Sequence, residues 1–287
     1  LGFFDTAMSF AANERLTLER SIREALGAGQ FELFFQPQVR LSDYALVGAE
    51  ALIRWRHPEL GIIAPDKFIP VAEDTGLIVP MGQWVLRDAC RQLREWGERG
   101  ITGVRLGVNI SGRQFREPDL ADTVAGAIAE AGVDPALLDL ELTESMLMAD
   151  GEGTLKLLRE LAGLGVSLSI DDFGTGYSSL AYLKRFPVNT VKIDRAFVRD
   201  LDHDEDGRVI ANAIVSLAHS LSLRTIAEGV ETETQATLLA RLGCDEIQGY
   251  LIGRPLPATD FLAFTANYHT PAKANRPARK AANDKGK

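Results

Sequence analysis

Strand-like and helix-like segments alternate along most of this 287-residue chain. Eight short apolar segments have the length and composition of strands, at residues 31–39, 45–53, 104–110, 138–143, 166–171, 190–194, 224–228 and 246–250. Helical patterns lie between most of them, at residues 81–99, 119–131, 152–164, 178–185, 206–221 and 233–242. A short turn at Ser42 and Asp43 joins the first two strands, which predicts an antiparallel hairpin. Eight strands alternating with helices over about 240 residues favour an α/β fold, a (βα)8 TIM-like barrel, over an open doubly wound sheet, which remains the alternative.

The segments before and after this alternation differ from it in composition. Residues 1–28 place Leu18, Ile22 and Leu26 at helical spacing, which predicts an N-terminal connector helix. Residues 29–268 are the predicted barrel domain. Residues 269–287 are rich in Pro, Ala, Asn and Lys, which cannot build a core, so we expect a disordered basic tail. Because the chain begins with Leu1, we expect it to be part of a longer polypeptide.

Composition and charge exclude some classes of function. A hydrophobic content of 46% with 25% charged residues is typical of a soluble globular protein. No apolar run approaches the roughly 18 residues that a membrane span needs, so we expect a cytoplasmic domain, whose full-length protein could still be membrane-anchored. The net charge is −9, and residues 270–287 contain six Lys or Arg against one acid, so the rest lies near −14. A domain with this negative charge is not expected to bind nucleic-acid polymers unless bound divalent cations reverse the local charge.

Polar side chains stand at the ends of nearly all the predicted strands. In chain order they are Glu50, Asn109, Glu141, Asp171, Asp172, Lys192, Asp194, Glu228 and Gln248. Strand alternation puts Leu140 and Leu142 on the face that the outer helices cover, so Glu141 points into the barrel. Functional groups of such barrels lie at the carboxyl ends of the strands. The sequence therefore predicts that these side chains converge on one mouth.

Carboxylates that share one pocket repel each other and need cations to stay ionised together. Oxygen ligands without His or Cys suit hard ions such as Mg²⁺ or Mn²⁺ better than zinc. The alternative for each acid taken singly is a helix cap or a solvated loop charge. For Lys192 the alternative to a catalytic role is a structural ion pair with the carboxylates, and both roles can hold together.

At these same positions the sequence resembles the EAL family of cyclic di-GMP phosphodiesterases. The resemblance covers about 240 residues and consists of ordered motifs: FQP at 35–37, EALIRW at 50–55, VNIS at 108–111, ELTES at 141–145, DDFGTGYSSL at 171–180, VKID at 191–194, AEGVE at 227–231 and QGY at 248–250. An isolated E-A-L would carry no information, whereas this order of motifs is specific.

The resemblance implies a barrel with an antiparallel first strand and hydrolysis of cyclic di-GMP to linear pGpG by water activated by two ions, Mg²⁺ or Mn²⁺. It implies metal ligands at Glu50, Asn109, Glu141, Asp171 and Asp172, with Glu228 as a ligand through water or a general base. The catalytic residues implied are Lys192, Glu228, Glu50 and Asp171. The substrate-binding residues implied are Gln36, Leu52, Arg54, Asp194 and Gln248. Glu144 is implied to anchor the loop after the fifth strand.

The resemblance also bears on partners and on competing functions. The opening residues 1–8 resemble the junction that follows a GGDEF domain, so we expect a GGDEF or sensor domain upstream and a homodimer formed through the barrel. A receptor that binds cyclic di-GMP without cleaving it, a barrel metal enzyme for another phosphodiester, and a scaffold remain alternatives. The complete loop motif and Arg54 favour the phosphodiesterase.

Overall fold

The first two strands, Phe31–Arg40 and Leu46–His57, form a long antiparallel hairpin at the start of the sheet.

The computed structural model describes residues 2–147, 151–175, 180–203 and 205–268. Its strands are β1 Phe31–Arg40, β2 Leu46–His57, β3 Gly61–Ile63, β4 Arg105–Asn109, β5 Leu138–Thr143, β6 Ser167–Phe173, β7 Thr190–Ile193, β8 Arg224–Ala227, β9 Glu246–Gln248 and β10 Leu256–Pro257. Its helices are α1 Gly2–Gly27, α2 Pro65–Thr75, α3 Ile78–Glu98, α4 Leu120–Ala131, α5 Glu144–Leu147, α6 Gly151–Gly163, α7 Leu180–Leu183, α8 Arg195–Val198, α9 Glu205–Ser220, α10 Glu233–Leu242 and α11 Ala258–Asn267. Short 3-10 helices lie at Gln114–Arg116 and Pro135–Leu137.

Eight of the strands close into a barrel, which confirms the predicted TIM-like fold. β1 is antiparallel to β2 and to β9, and the remaining barrel pairs are parallel in the order β2, β4, β5, β6, β7, β8, β9. The short β3 and β10 extend the hairpin by pairing with β2 and β1. In this register Gln36 lies opposite Glu50, and Gln38 lies opposite Gln248. The reversed first strand is thus confirmed.

The two faces of the barrel wall have different chemistry. The outer face carries fully buried aliphatic side chains such as Leu140 and Ile193, which belong to the core beneath the helices. The inner face is polar: the Ser169 hydroxyl donates to Asp139 at 2.7 Å, and Arg105 pairs with Glu246 at 2.6 Å. Burial of the outer apolar face supplies the main stabilisation, and this leaves the interior free for polar side chains.

Two glycines make room inside the barrel. A Cβ atom at Gly48 would lie 2.5 Å from Oε1 of Gln38, and one at Gly107 would lie 2.1 Å from Oε1 of Glu141. Neither position has a positive φ, so space and not backbone conformation requires glycine there. The long side chains of Gln38 and Glu141 occupy the volume that these glycines leave open.

A second, smaller core attaches α1 to the barrel. Ile22, fully buried, packs in one cluster with Phe68 of α2 and Met81 of α3. The rings of Phe31 and Trp55 belong to the same cluster, with centroids 5.6 Å apart. α1 therefore contacts the two helices that follow the hairpin.

Four helices, α2, α5, α8 and α11, were missing from the sequence-based description. α2 begins with Pro65 at its first turn and contains Pro70, which disguised the helical pattern. α11 follows the last barrel strand, and its Phe261 stacks on Trp96 at 4.9 Å. The predicted tail, residues 269–287, lies outside the described residues, and the domain boundaries stay a prediction. Among the described residues no helix is long and apolar enough to cross a membrane.

We expect Ile22→Ala to lower the free energy of unfolding by about 2–5 kcal/mol, because it leaves a cavity between α1 and α2. Leu16→Ala on the same helix is the matched control, since Leu16 is 63% exposed, and should change stability by no more than about 0.5 kcal/mol. Urea unfolding followed by circular dichroism measures both. Equal effects of the two substitutions would show that α1 does not dock as described.

Candidate functional site

The predicted polar side chains lie around the carboxyl ends of the parallel strands, beside a cavity of about 430 Å³. Six of them line this cavity together with the predicted Leu52: Gln36, Glu50, Asp172, Asp194, Glu228 and Gln248. Glu141 and Lys192 lie deeper, in the barrel interior, with 1% and 0% of their surfaces exposed. The site thus has an open polar cavity above a buried ionic cluster.

Lys192 is the centre of the buried cluster. Its Nζ lies 2.5 Å from Glu141, 2.7 Å from Glu228, 3.3 Å from Asp171 and 3.9 Å from Glu50. These residues come from β7, β5, β6 and β2 and from the position directly after β8. Five strands therefore deliver one ammonium and four carboxylates to a single point.

The charges in this cluster shift one another's protonation. Burial lowers the pKa of Lys192, but the carboxylates outweigh it and hold that pKa well above its ordinary value. Burial raises the pKa of Glu141 well above its usual range, although Lys192 opposes this. Burial also raises the pKa of Glu228 to about 8, again against Lys192. The cluster thus combines a charged ammonium with carboxyl groups that take up protons more readily than in water.

Amide groups hold the carboxylate of Glu50 from both sides. Asn109 Nδ2 donates to Oε1 of Glu50 at 2.7 Å, and Gln248 Nε2 donates to Oε2 at 2.5 Å. Gln248 Nε2 also donates to Gln36 Oε1 at 3.1 Å, and Gln36 Nε2 donates to the carbonyl of Gly253 at 3.2 Å. Hydrogen bonds to a charged acceptor are stronger than neutral ones, so Glu50 has a defined orientation.

The end of β6 turns two consecutive acids toward the site. Successive residues of a regular strand point to opposite faces, yet Asp171 contacts Lys192 while Asp172 lines the cavity. The register of β6 against β7 shifts between Ile170 and Phe173, and Asp172 has a positive φ of 54°. This bulge breaks the alternation. Burial is the largest cause that raises the pKa of Asp172, and the negative charges of Asp171 and Asp194 raise it further.

Glu144 contacts the loop after β6. It begins α5, is 1% exposed, and accepts a hydrogen bond at Oε2 from the backbone N–H of Gly174 at 2.9 Å. Gly174 has φ of 96°, which favours glycine. Residues 176–179 of the loop motif lie outside the described residues.

Arg54 and Asp194 both make local contacts, and Asp194 lines the cavity whereas Arg54 is not among its lining residues. Arg54 follows Glu50 and Leu52 on the same face of β2, and its Nη1 donates to the carbonyl of Ile53 at 2.9 Å. Asp194 caps α8 by accepting from the N–H of Ala196 at 2.8 Å. The capping role is the plain alternative for this acid, and it coexists with its position on the cavity wall.

The donor atoms suit a hard divalent ion, although they are arranged around an ammonium. Carboxylate and amide oxygens of Glu50, Asn109, Glu141, Asp171 and Asp172 are the ligand types that Mg²⁺ and Mn²⁺ prefer. Within the described residues, no group of three or more Asp, Glu, His or Cys side chains has the spacing of a preformed metal site. Three of these residues, Glu50, Glu141 and Asp171, also form ion pairs with Lys192.

Some residues of this site were not predicted from the sequence. Gln38 donates through Nε2 to Gln248 Oε1 at 2.8 Å, and it stands two residues after Gln36 on β1. That spacing was the available signal, because it places both glutamines on the inner face. Arg195, which follows the VKID motif, also lines the cavity, as do Glu231 and Tyr250, which belong to the recognised motifs but had been given no role.

Comparison with known proteins identifies the family. The family model for the EAL domain matches residues 19–255. The chain belongs to the EAL domain family. Within this EAL chain, the ordered motifs that suggested the family are those that supply the cavity and the ionic cluster.

The relatives are longer proteins. The bifunctional diguanylate cyclase/cyclic di-GMP phosphodiesterase MucR of Pseudomonas aeruginosa is 48% identical over 264 residues, 92% of this chain and 38% of that protein. Cyclic di-GMP phosphodiesterase NbdA of the same organism is 43% identical over 266 residues, 93% of this chain and 34% of that protein. The chain therefore spans less than half the length of these relatives.

Solved structures match the barrel closely. The MucR phosphodiesterase in complex with c-di-GMP has a TM-score of 0.83 at 48% identity, covering 85% of this chain and 99% of that one. The FimX EAL domain from Pseudomonas aeruginosa bound to c-di-GMP has a TM-score of 0.77 at 25% identity, covering 83% and 96%. Both structures are complexes with c-di-GMP.

We expect Lys192→Met to destabilise the metal-free protein by about 3–5 kcal/mol at pH 8, because it leaves buried carboxylates without a cation. Without Lys192 the pKa values of Glu141 and Glu228 rise further, so the folded state binds more protons than the unfolded state. Stability should then fall as the pH rises, and the loss should be smaller at pH 5.5. Urea unfolding in a chelator at both pH values measures this.

Lys156→Met is the matched control, since the Lys156 side chain is 81% exposed. It should behave like the unsubstituted protein at both pH values. An unfolding midpoint of Lys192→Met at pH 8 that equals the control would contradict the electrostatic role of Lys192.

Proposed function

We propose that this chain hydrolyses cyclic di-GMP to linear pGpG with the help of divalent ions. The observation that carries the proposal is the convergence of four carboxylates on Lys192 at the base of a 430 Å³ cavity. A relative named as a cyclic di-GMP phosphodiesterase at 43% identity supports the substrate, and so does the c-di-GMP complex at 48% identity.

We propose two ions, Mg²⁺ or Mn²⁺. Glu50, Asn109, Glu141 and Asp171 would hold one, and Asp171 with Asp172 would hold the other, with Glu228 close by. Such ions supply a water of lowered pKa and bind the oxygens of the phosphodiester. Their positive charge would also offset the repulsion between the acidic site and a substrate that carries two phosphodiester charges.

The protein's own residues have distinct roles in this proposal. Lys192 meets the negative charge that builds on the phosphoryl oxygens in the transition state, from a position already fixed by its ion pairs. Glu228, which lines the cavity and lies 2.7 Å from the Lys192 ammonium, is placed to accept a proton from the attacking water when it is ionised. Gln36, Leu52, Arg54, Asp194 and Gln248 would bind the dinucleotide, with Arg54 turning toward a phosphate.

We propose a setting for the barrel in a longer cytoplasmic protein. α1 would connect it to an upstream GGDEF or sensor domain, and two barrels would associate as a homodimer. MucR supports the upstream domain, because it is a bifunctional diguanylate cyclase/cyclic di-GMP phosphodiesterase.

Incubation with cyclic di-GMP and Mg²⁺ or Mn²⁺, followed by chromatography, tests the activity. We expect pGpG from the unsubstituted chain and a loss of at least about a hundredfold in Asp171→Asn, which removes charge shared by both proposed ions. Asp122→Asn is the control, because Asp122 is an exposed acid on α4. Binding of cyclic di-GMP without any pGpG would identify a receptor instead.

We expect Glu144→Ala to lower turnover, and to raise the Mg²⁺ concentration needed for half-maximal rate, by at least about tenfold each, because Gly174 loses a charged acceptor. Glu144→Gln retains an acceptor oxygen and should lose less. Kinetics across a Mg²⁺ titration compare the two, and circular dichroism checks the barrel. If both variants match the unsubstituted chain, Glu144 does not act on the site through this loop.

A further inference from the structure

Gln38 is a buried side chain next to the site that none of the recognised motifs includes. It is 3% exposed on the inner face of β1 and lies opposite Gln248 in the antiparallel pair of β1 and β9. Its Nε2 donates to Gln248 Oε1 at 2.8 Å. Gln38 therefore contacts the residue that holds Glu50 without contacting Glu50 itself through a hydrogen bond in the described structure.

The direction of these hydrogen bonds is determined by chemistry. A carboxylate only accepts, so Gln248 must present its NH₂ group to Glu50. Both donors of that group are then used, on Glu50 Oε2 at 2.5 Å and on Gln36 Oε1 at 3.1 Å. Oε1 of Gln248 is left facing Gln38 and requires a donor there. The Gln38 amide supplies it, whereas an acceptor at this position would favour the opposite orientation of Gln248.

Gly48 makes this arrangement possible. A Cβ at Gly48 would lie 2.5 Å from Gln38 Oε1 and 3.3 Å from the carbonyl oxygen of Arg105. The Gln38 side chain thus lies against bare backbone of β2, the strand that carries Glu50 two residues later. Any side chain at residue 48 would displace the Gln38 amide from its place beside Gln248.

We infer that Gln38 is a positioning residue, which sets the amide orientation of Gln248 and, through it, the direction of the Glu50 carboxylate. This inference rests on the proposed function for its catalytic consequence, since Glu50 is there a ligand of a divalent ion. A Glu50 carboxylate held between Asn109 and Gln248 presents its oxygens in one direction, and a loosely held one must be ordered by the ion at a cost in affinity.

The test compares Gln38→Glu with Gln38→Met. The carboxylate of the first attracts the NH₂ group of Gln248 and turns its Oε1 toward Glu50. The second removes the donor without adding charge. We expect Gln38→Glu to weaken Mn²⁺ binding, measured by calorimetry without substrate, and to lower kcat, each by about tenfold, and Gln38→Met to do both by a smaller factor. Gly48→Ala should resemble Gln38→Met.

Gln92→Glu is the matched control. Gln92 is a glutamine of α3 that is 4% exposed and does not line the cavity, so Gln92→Glu measures the effect of a buried Gln-to-Glu change on folding. It should lower the melting temperature and leave Mn²⁺ affinity unchanged. If Gln38→Glu does not fold, Gln38→Met and Gly48→Ala carry the same comparison.

A double-mutant cycle identifies the route of the effect. In a Gln248→Met background, Gln38→Glu should change Mn²⁺ affinity and kcat by less than about twofold, because there is no amide left to turn. An equal factor in both backgrounds, or Mn²⁺ affinity in Gln38→Glu equal to that of the unsubstituted chain, overturns the inference. Failure of the unsubstituted chain to form pGpG while it binds Mn²⁺ would instead contradict the proposed function and leave the binding test of Gln38 in force.

Discussion

The ion pairs of Lys192 are the constraint on which the interior of this barrel depends. A fully buried ammonium is tolerated only with charge partners, and four carboxylates from different parts of the wall supply them. Each carboxylate in turn depends on the same cation. The strands must therefore bring these side chains to one point for any of them to be buried, which couples the closure of the barrel to the assembly of the site.

Stability and function are divided between the two faces of the barrel wall. Outward side chains are aliphatic and buried under helices, so they contribute the favourable burial. Inward side chains form polar contacts such as Asp139 with Ser169 and Arg105 with Glu246. Gly48 and Gly107 belong to neither group, because they provide empty volume for longer neighbours. This volume allows the inner face to hold Gln38 and Glu141 in place of aliphatic residues.

Much of the fold and site could be predicted, because alternating patterns and strand-end acids are local signals. Strand β5 and its inward Glu141 follow from the positions of Leu140 and Leu142 alone. α2 was not predicted, because two prolines interrupt the helical spacing of its apolar residues. The joint approach of Asp171 and Asp172 depends on a bulge against β7, and the contact between Gln38 and Gln248 depends on the register of β1 with β9. Both are properties of paired strands, which no single segment contains.

The reversed direction of β1 has a consequence for the geometry of the whole chain. In an all-parallel barrel the first strand starts at the end opposite the active site. Here Phe31, the first residue of β1, pairs with Trp55 near the end of β2, beyond Glu50 and Leu52. α1 therefore joins the barrel at the rim that carries the cavity and packs on α2 and α3. The small core that holds α1 also includes Ile53, the direct neighbour of Leu52 on β2, so the attachment of α1 and the cavity wall share one stretch of strand.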